Sequence, residues 1–127
     1  MKPFLFVIYG KDNCSKCAKL KQEVGMLLND ETMSADFDMD YQNLSTASGM
    51  AAYAMSETVN GQRIPALQIM KYDNAKKSYV KIPDPREESY GLGFVPVYLQ
   101  LQTNYGNSIA DISIKNVAEL AEIARSL

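Results

Sequence analysis

The 127-residue sequence contains no histidine and only two cysteines. A zinc site ordinarily takes four Cys or His ligands, so one here would have to recruit carboxylates or a second subunit. No excess of basic charge is present. Lys and Arg total 13 against 15 Asp and Glu, for a net charge of -2, so nothing suggests a basic surface of the kind that holds nucleic acid. Long apolar runs are missing too, and none approaches the ~18 residues that would suggest a membrane span. The opening Met1-Lys2-Pro3-Phe4 carries one positive charge and a short apolar run. A polar loop, Gly10-Lys11-Asp12-Asn13, follows without a small-residue cleavage pattern, so the stretch reads as a strand and not as an export signal. The expectation is a cytoplasmic protein, in a reducing compartment where a permanent structural disulfide is out of place. There is no internal repeat, low-complexity tract or linker, and the length suits one domain.

What is present is a sequence of clear hydrophobic periods. Phe4-Leu5-Phe6-Val7-Ile8-Tyr9 is nearly continuous, as in a strand covered on both faces. A helix is predicted over 15–28. It has Cys17, Leu20, Val24 and Leu27 on one face and Lys16, Lys19, Gln22 and Glu23 toward water. Over 34–41, Phe37, Met39 and Tyr41 alternate with Asp36, Asp38 and Asp40. That predicts a second strand with one polar side, its aspartates forming a solvated edge and not a cation site. A second helix is predicted over 46–59, capped by Ser45 or Thr46, with an apolar stripe of Ala47, Met50, Ala51, Ala54 and Met55. Asn60-Gly61 ends it. A third strand over 63–70 opens on Pro65, a turn follows at 72–75, and a fourth strand covers 78–82.

An irregular stretch runs from Pro83 to about Gly93. Residues 94–102 then alternate again, with Val95, Val97, Leu99 and Leu101 on one side and Pro96, Tyr98, Gln100 and Gln102 on a wet side. A last helix over 114–125 is capped by Ser113 and turns Val117, Leu120, Ala121 and Ala124 inward. The class is therefore α/β. A central mixed four-stranded sheet is flanked by helices, with an extra β segment before the last helix. The strand–helix–strand unit favours a parallel pair with a right-handed crossover.

Cys14-Ser15-Lys16-Cys17 lies where the first strand gives way to the first helix. Thiol–disulfide exchange needs one thiolate to attack and a second thiol to resolve the mixed disulfide. At the helix start Cys14 meets unpaired backbone N–H groups and the positive end of the helix dipole, both of which favour its thiolate. Cys17 lies one turn inside, close enough to bond to Cys14 yet more shielded. Such placement brings the first thiol from ~8.5 to between ~3.5 and ~7.5, and Lys11 and Lys16 place positive charge nearby. Inert thiols and zinc ligation are the plainer alternatives; the position between a buried strand and a helix favours redox chemistry over both.

This pattern resembles the thioredoxin superfamily, and within it the glutaredoxins. The likeness rests on the buried strand, Cys14-Ser15-Lys16-Cys17 at a helix start, the strand and helix that follow, and Ile64-Pro65 opening the third strand. It covers residues 3–72, with Gly49-Met50-Ala51-Ala52-Tyr53-Ala54 similar to the second helix of small bacterial glutaredoxin-like proteins. The pair encloses Ser15-Lys16 where glutaredoxins commonly have Pro-Tyr. The thioredoxin pattern Trp-Cys-Gly-Pro-Cys is absent, as is the Gly-Gly and Asp before the last helix.

The resemblance implies a thioredoxin-like fold with an inserted or extended segment at about 73–112. Cys14 would act as nucleophile and Cys17 as resolving thiol. Pro65 would be a cis-proline packed on the cysteine pair, with the Ile64 backbone pairing with substrate. Lys11 would contact a glutathione carboxylate. It further implies a monomeric enzyme with no bound cofactor or metal, a disulfide-containing protein substrate, and electrons from glutathione or a thioredoxin-reductase-type donor. Phe94-Val95-Pro96-Val97 offers a second place for the cis-proline strand; Pro65 is preferred because it directly follows the second helix. The alternative function, from a different class, is a redox-responsive binding module that docks a partner through the tyrosine-rich second half.

Overall fold

A computed structural model describes residues 1–56, 65–85, 98–101 and 114–127. In chain order the elements are β1 (Phe4–Gly10), α1 (Ser15–Leu27), α2 (Glu31–Asp36), β2 (Phe37–Asn43), α3 (Ala47–Ser56), β3 (Ala66–Asp73), β4 (Ser78–Lys81), β5 (Gln100–Leu101) and α4 (Ile114–Ser126). The strands form one mixed sheet in the order β2-β1-β3-β4. β1 runs parallel to β2, and β3 is antiparallel to both β1 and β4. β5 pairs with β3 through Leu67–Leu101 and Gln68–Gln100, on the stretch of β3 that β4 leaves free. The mixed α/β class is thus as expected, and the arrangement is compatible with a thioredoxin-like fold.

β1 is buried on both faces because helices cover both. Phe4, Phe6 and Ile8 point into the larger core with Leu20 and Val24 of α1, Phe37, Leu67, Ile69, and Val117, Leu120, Ala121 and Ala124 of α4. The alternate residues Val7 and Tyr9 join Ala66, packed against Leu44, Ala52 and Tyr53 on the α3 side. Burying each large side chain contributes roughly 1.5–3 kcal/mol, so the double-sided strand anchors the molecule. Phe37 stacks between Phe4 and Phe6 at 5.0 and 4.7 Å. Arg125 of α4 lies 5.4 Å from the Phe37 ring and reaches Asp36 at 3.1 Å, which ties the C-terminal helix to the start of β2.

Several expectations require correction. The second strand does not begin at Ser34. Asp30 accepts from the Thr32 amide at 2.8 Å and caps the short helix α2, so the strand opens at Phe37. Asp36 therefore ends a helix and does not join Asp38 and Asp40 on a strand edge. Glu23, expected in water, is only 7% exposed. Its carboxylate pairs with Lys19 one turn back, which offsets the cost of burying a charge.

The predicted stripe of α3 faces outward: Ala47, Met50, Ala51, Ala54 and Met55 are exposed. The sheet side is instead Gly49, Ala52, Tyr53 and Ser56, because Thr46 caps the helix at the Gly49 amide and Gly49 lies directly on the Asn43 carbonyl. β3 continues to Asp73, and the turn falls at 74–77, with Lys77 at φ 54°. Gln100, expected on a wet side, is 1% exposed, and its neighbours Leu99 and Leu101 are buried too. The expected Ser113 cap, the end of the second helix, and Pro96 lie outside the described residues. Among the described residues, no helix is long and apolar enough to cross a membrane.

A methyl group at Gly49 would overlap the Asn43 backbone, whereas one at Gly25 meets open space. Gly49→Ala should therefore cost about 3 kcal/mol through displaced backbone. Gly25→Ala should stabilise by up to about 1 kcal/mol, because alanine loses less freedom in a helix. Urea unfolding of both variants checks the pair; equal shifts would contradict this seating of α3.

Candidate functional site

The site lies where β1 ends and α1 begins. Cys14 has the extended backbone of an N-cap, φ -114° and ψ 108°, and its carbonyl accepts the first helical bond from the Ala18 amide at 3.1 Å. Its sulfur also accepts from the Cys17 amide, at 3.2 Å. Cys14 and Cys17 form a disulfide, with Cα atoms 5.2 Å apart, inside the usual range for such bonds. The two sulfurs differ in surroundings: Cys14 is half-buried, and Cys17 is 1% exposed. No acidic side chain lies in the first turn of α1, so the positive end of its dipole faces Cys14 without compensation. An amide donor already aimed at the sulfur favours the anion on reduction.

The loop before Cys14 is pinned from the side. Leu44 donates its amide to the Gly10 carbonyl at 2.7 Å. Asp12 donates its amide to Ser45 Oγ at 3.2 Å and accepts from Asn43 Nδ2 at 3.0 Å. Asn13 takes a left-handed backbone, φ 59°, which asparagine tolerates better than most residues. The turn between β2 and α3 thus holds the chain at the angle from which Cys14 starts the helix.

Of the residues expected at a site, Cys14 and Cys17 are bonded to one another. Lys11 is exposed in the pinned loop. Pro65 is buried and immediately precedes Ala66, which pairs with Tyr9. By register it enters the sheet beside Gly10, at the same end as the disulfide. Ile64, and with it the peptide bond to Pro65, lies outside the described residues. Among the described residues, no group of three or more His, Cys, Asp or Glu gathers as a metal site.

Two features of the site have no local signal in the sequence. Gly10 looks like the first residue of a loop, yet it is a point of close packing. A Cβ there would stand 2.5 Å from Tyr41 Oη and 2.9 Å from Cys17 Cβ. Tyr41, expected only as part of an apolar strand face, is therefore a neighbour of Cys17. The strand register that pairs Ile8 with Tyr41 creates this proximity, and no local pattern announces it. Burial, with the Asp12 charge adding, raises the Tyr41 phenol above its ordinary value. On the opposite sheet face, burial pushes Tyr9 up to about 12; Asp40 adds to this and Ser56 opposes it.

No known family model matches this chain, and no curated protein is similar to it in sequence comparison. The geometry alone shows a Cys-X-X-Cys disulfide at a helix N-terminus, consistent with redox chemistry.

The raised phenol of Tyr9 gives a prediction with a definite sign. Its folded pKa lies above the unfolded value of 10.0, so the folded state holds the proton more tightly. That contribution to stability is complete below pH 10 and is lost as pH rises toward about 12. Unfolding midpoints of the wild type should fall across this window more steeply than those of Tyr9→Phe, which lacks the titrating group.

Proposed function

We propose that this chain is a thiol–disulfide oxidoreductase of glutaredoxin-like type on a thioredoxin-like fold, acting in a reducing cytoplasm. The observation that carries the reading is the unequal burial of two bonded sulfurs at one helix N-cap. In the reduced form the Cys14 thiolate attacks one sulfur of a substrate disulfide. A mixed disulfide forms, and the other substrate sulfur leaves as a thiolate that takes a proton from water. The Cys17 thiolate then attacks Cys14 Sγ. The Cys14–Cys17 bond forms, the second substrate thiolate departs, and two electrons have passed to the substrate.

A thiol donor, either glutathione or a thioredoxin-reductase-type protein, reverses the bond and restores both cysteines. In this reading Lys11 meets a carboxylate of glutathione, and Pro65 with the Ile64 backbone shapes the groove in which the substrate lies extended. The protein works as a monomer and needs no bound cofactor. Its substrate is a protein disulfide or a glutathione mixed disulfide.

Cys14→Ser should abolish reduction of a model protein disulfide. Cys17→Ser should accumulate a mixed disulfide on Cys14, visible as a mass increase. In Cys17→Ser the alkylation rate of Cys14 should rise with a midpoint well below ~8.5. A Cys14 that alkylates at an unshifted midpoint, together with turnover that survives Cys14→Ser, would sink the proposal.

A further inference from the structure

Cys17 is 1% exposed. When its bond to Cys14 opens, its sulfur takes the electron pair inside the protein, where an anion without a donor is costly. The packing around Gly10 brings a hydroxyl to the same place. Tyr41 Oη and Cys17 Cβ both lie within 3 Å of the point where a Gly10 Cβ would be, at 2.5 and 2.9 Å. The hydroxyl and the Cys17 side chain therefore line one space, which any side chain at position 10 would fill. The arrangement follows from topology. Parallel pairing sets Tyr41 opposite Ile8, both pack in the larger core, and α1 lays Cys17 over that same face.

We propose that Tyr41 governs the buried thiol, its hydroxyl donating a hydrogen bond to Cys17 Sγ once the disulfide opens. The inference rests on the exchange reading above. An incoming thiolate forms a bond to Cys14 Sγ, the Cys14–Cys17 bond breaks, and the electron pair goes to Cys17 Sγ. Tyr41 stabilises that thiolate by donation while keeping its proton; the proton that later neutralises Cys17 comes from water. In the opposite direction the same bond enlarges the fraction of Cys17 present as the attacking thiolate.

The phenol suits this task. Its pKa is raised by burial, so it stays a donor throughout the range in which a thiol ionises. The charged groups that bear on it are Asp12 from the loop and Lys21 from α1, whose Nζ lies 4.8 Å from the ring centroid. Tyr41→Phe keeps the ring, its packing and the Lys21 contact, and removes only the hydroxyl.

The test is the ionisation of Cys17, followed by thiolate absorbance in Cys14→Ser and in Cys14→Ser/Tyr41→Phe. The hydroxyl-free protein should titrate at a higher pH. In the chain with both cysteines, reduction of the disulfide by dithiothreitol at pH 7 should slow about tenfold in Tyr41→Phe, the effect of one hydrogen bond to a charged group. A merely structural tyrosine would lower the unfolding midpoint and leave the Cys17 titration in place. An unchanged titration overturns the proposal, as does a reduction rate within about twofold of wild type.

A second measurement needs no substitution at position 41. In Cys14→Ser the Tyr41 13Cζ resonance should shift with the Cys17 midpoint, and a resonance indifferent to it is equally fatal. Neither titration depends on turnover. A wild type that reduces no disulfide substrate would overturn the exchange reading, while these midpoints still report on Tyr41.

Discussion

The close approach of α1 to the end of β1 is the constraint on which the rest of the site depends. A helix start that carries a reactive sulfur must be held firmly while leaving that sulfur reachable. Here the holding is done one turn further in. Cys17, Leu20 and Val24 are buried against the sheet, and Gly10 lets Cys17 lie against the strand itself. The outward half of the turn is left to Cys14. The difference in exposure between the two sulfurs is therefore a consequence of how the helix beds on the sheet. It follows from the spacing of two residues between them, which at 3.6 residues per turn puts one at the helix start and the other on its inner face.

The same docking makes the loop of residues 11–13 a structural joint. Asp12 bonds to Asn43 and Ser45, and Gly10 just before the loop accepts from Leu44, which links the loop to the turn between β2 and α3. Gly49 in turn seats α3 on the Asn43 carbonyl. Asn43 thus lies between the loop that presents Cys14 and the helix that covers the far face of the sheet. A disturbance on the α3 side has a short path to the cysteine loop, through the Leu44–Gly10 backbone bond and the short side chains of Asn43 and Ser45. Interiors packed at crystal density transmit such strain.

Most of the architecture was legible because it is written in local periods. The continuous apolar run of β1, the three-and-four spacing of α1 and α4, and the Cys-X-X-Cys between strand and helix all appear directly in the order of residues. What was not legible required partners distant in sequence. The alanine and methionine spacing of α3 suggests a buried stripe, but the close contact of Gly49 and the packing of Tyr53 on Tyr9 at 5.4 Å turn the helix the other way. Glu23 reads as a surface charge until Lys19 neutralises it. Tyr41 reads as one more apolar position until the parallel register places it beside Gly10. In each case a tertiary contact outweighed a local pattern, as amphipathicity alone allows.

The end of β3 nearest the disulfide shows how such contacts fix a position that the sequence can only nominate. Ala66, Leu67, Gln68 and Ile69 are all buried, none more than 1% exposed. On one side they pair with β1, from Tyr9 to Phe6. On the other, Leu99 accepts from the Ile69 amide at 3.1 Å and donates to the Ile82 carbonyl at 2.7 Å, and Tyr98 bridges Pro83 beside it. Gln68 Nε2 also donates to the carbonyl of Ser56 at 3.0 Å, inside the protein, binding β3 to the last turn of α3. Pro65 therefore adjoins a segment, residues 66–69, fixed by two strand neighbours and a helix. Proline adds a fixed φ of its own and has no amide to satisfy. A residue so placed has little freedom to move relative to Gly10, and through Gly10 relative to Cys17. β5, paired with Leu67 and Gln68 along this same stretch, adds to the rigidity of the sheet at that end.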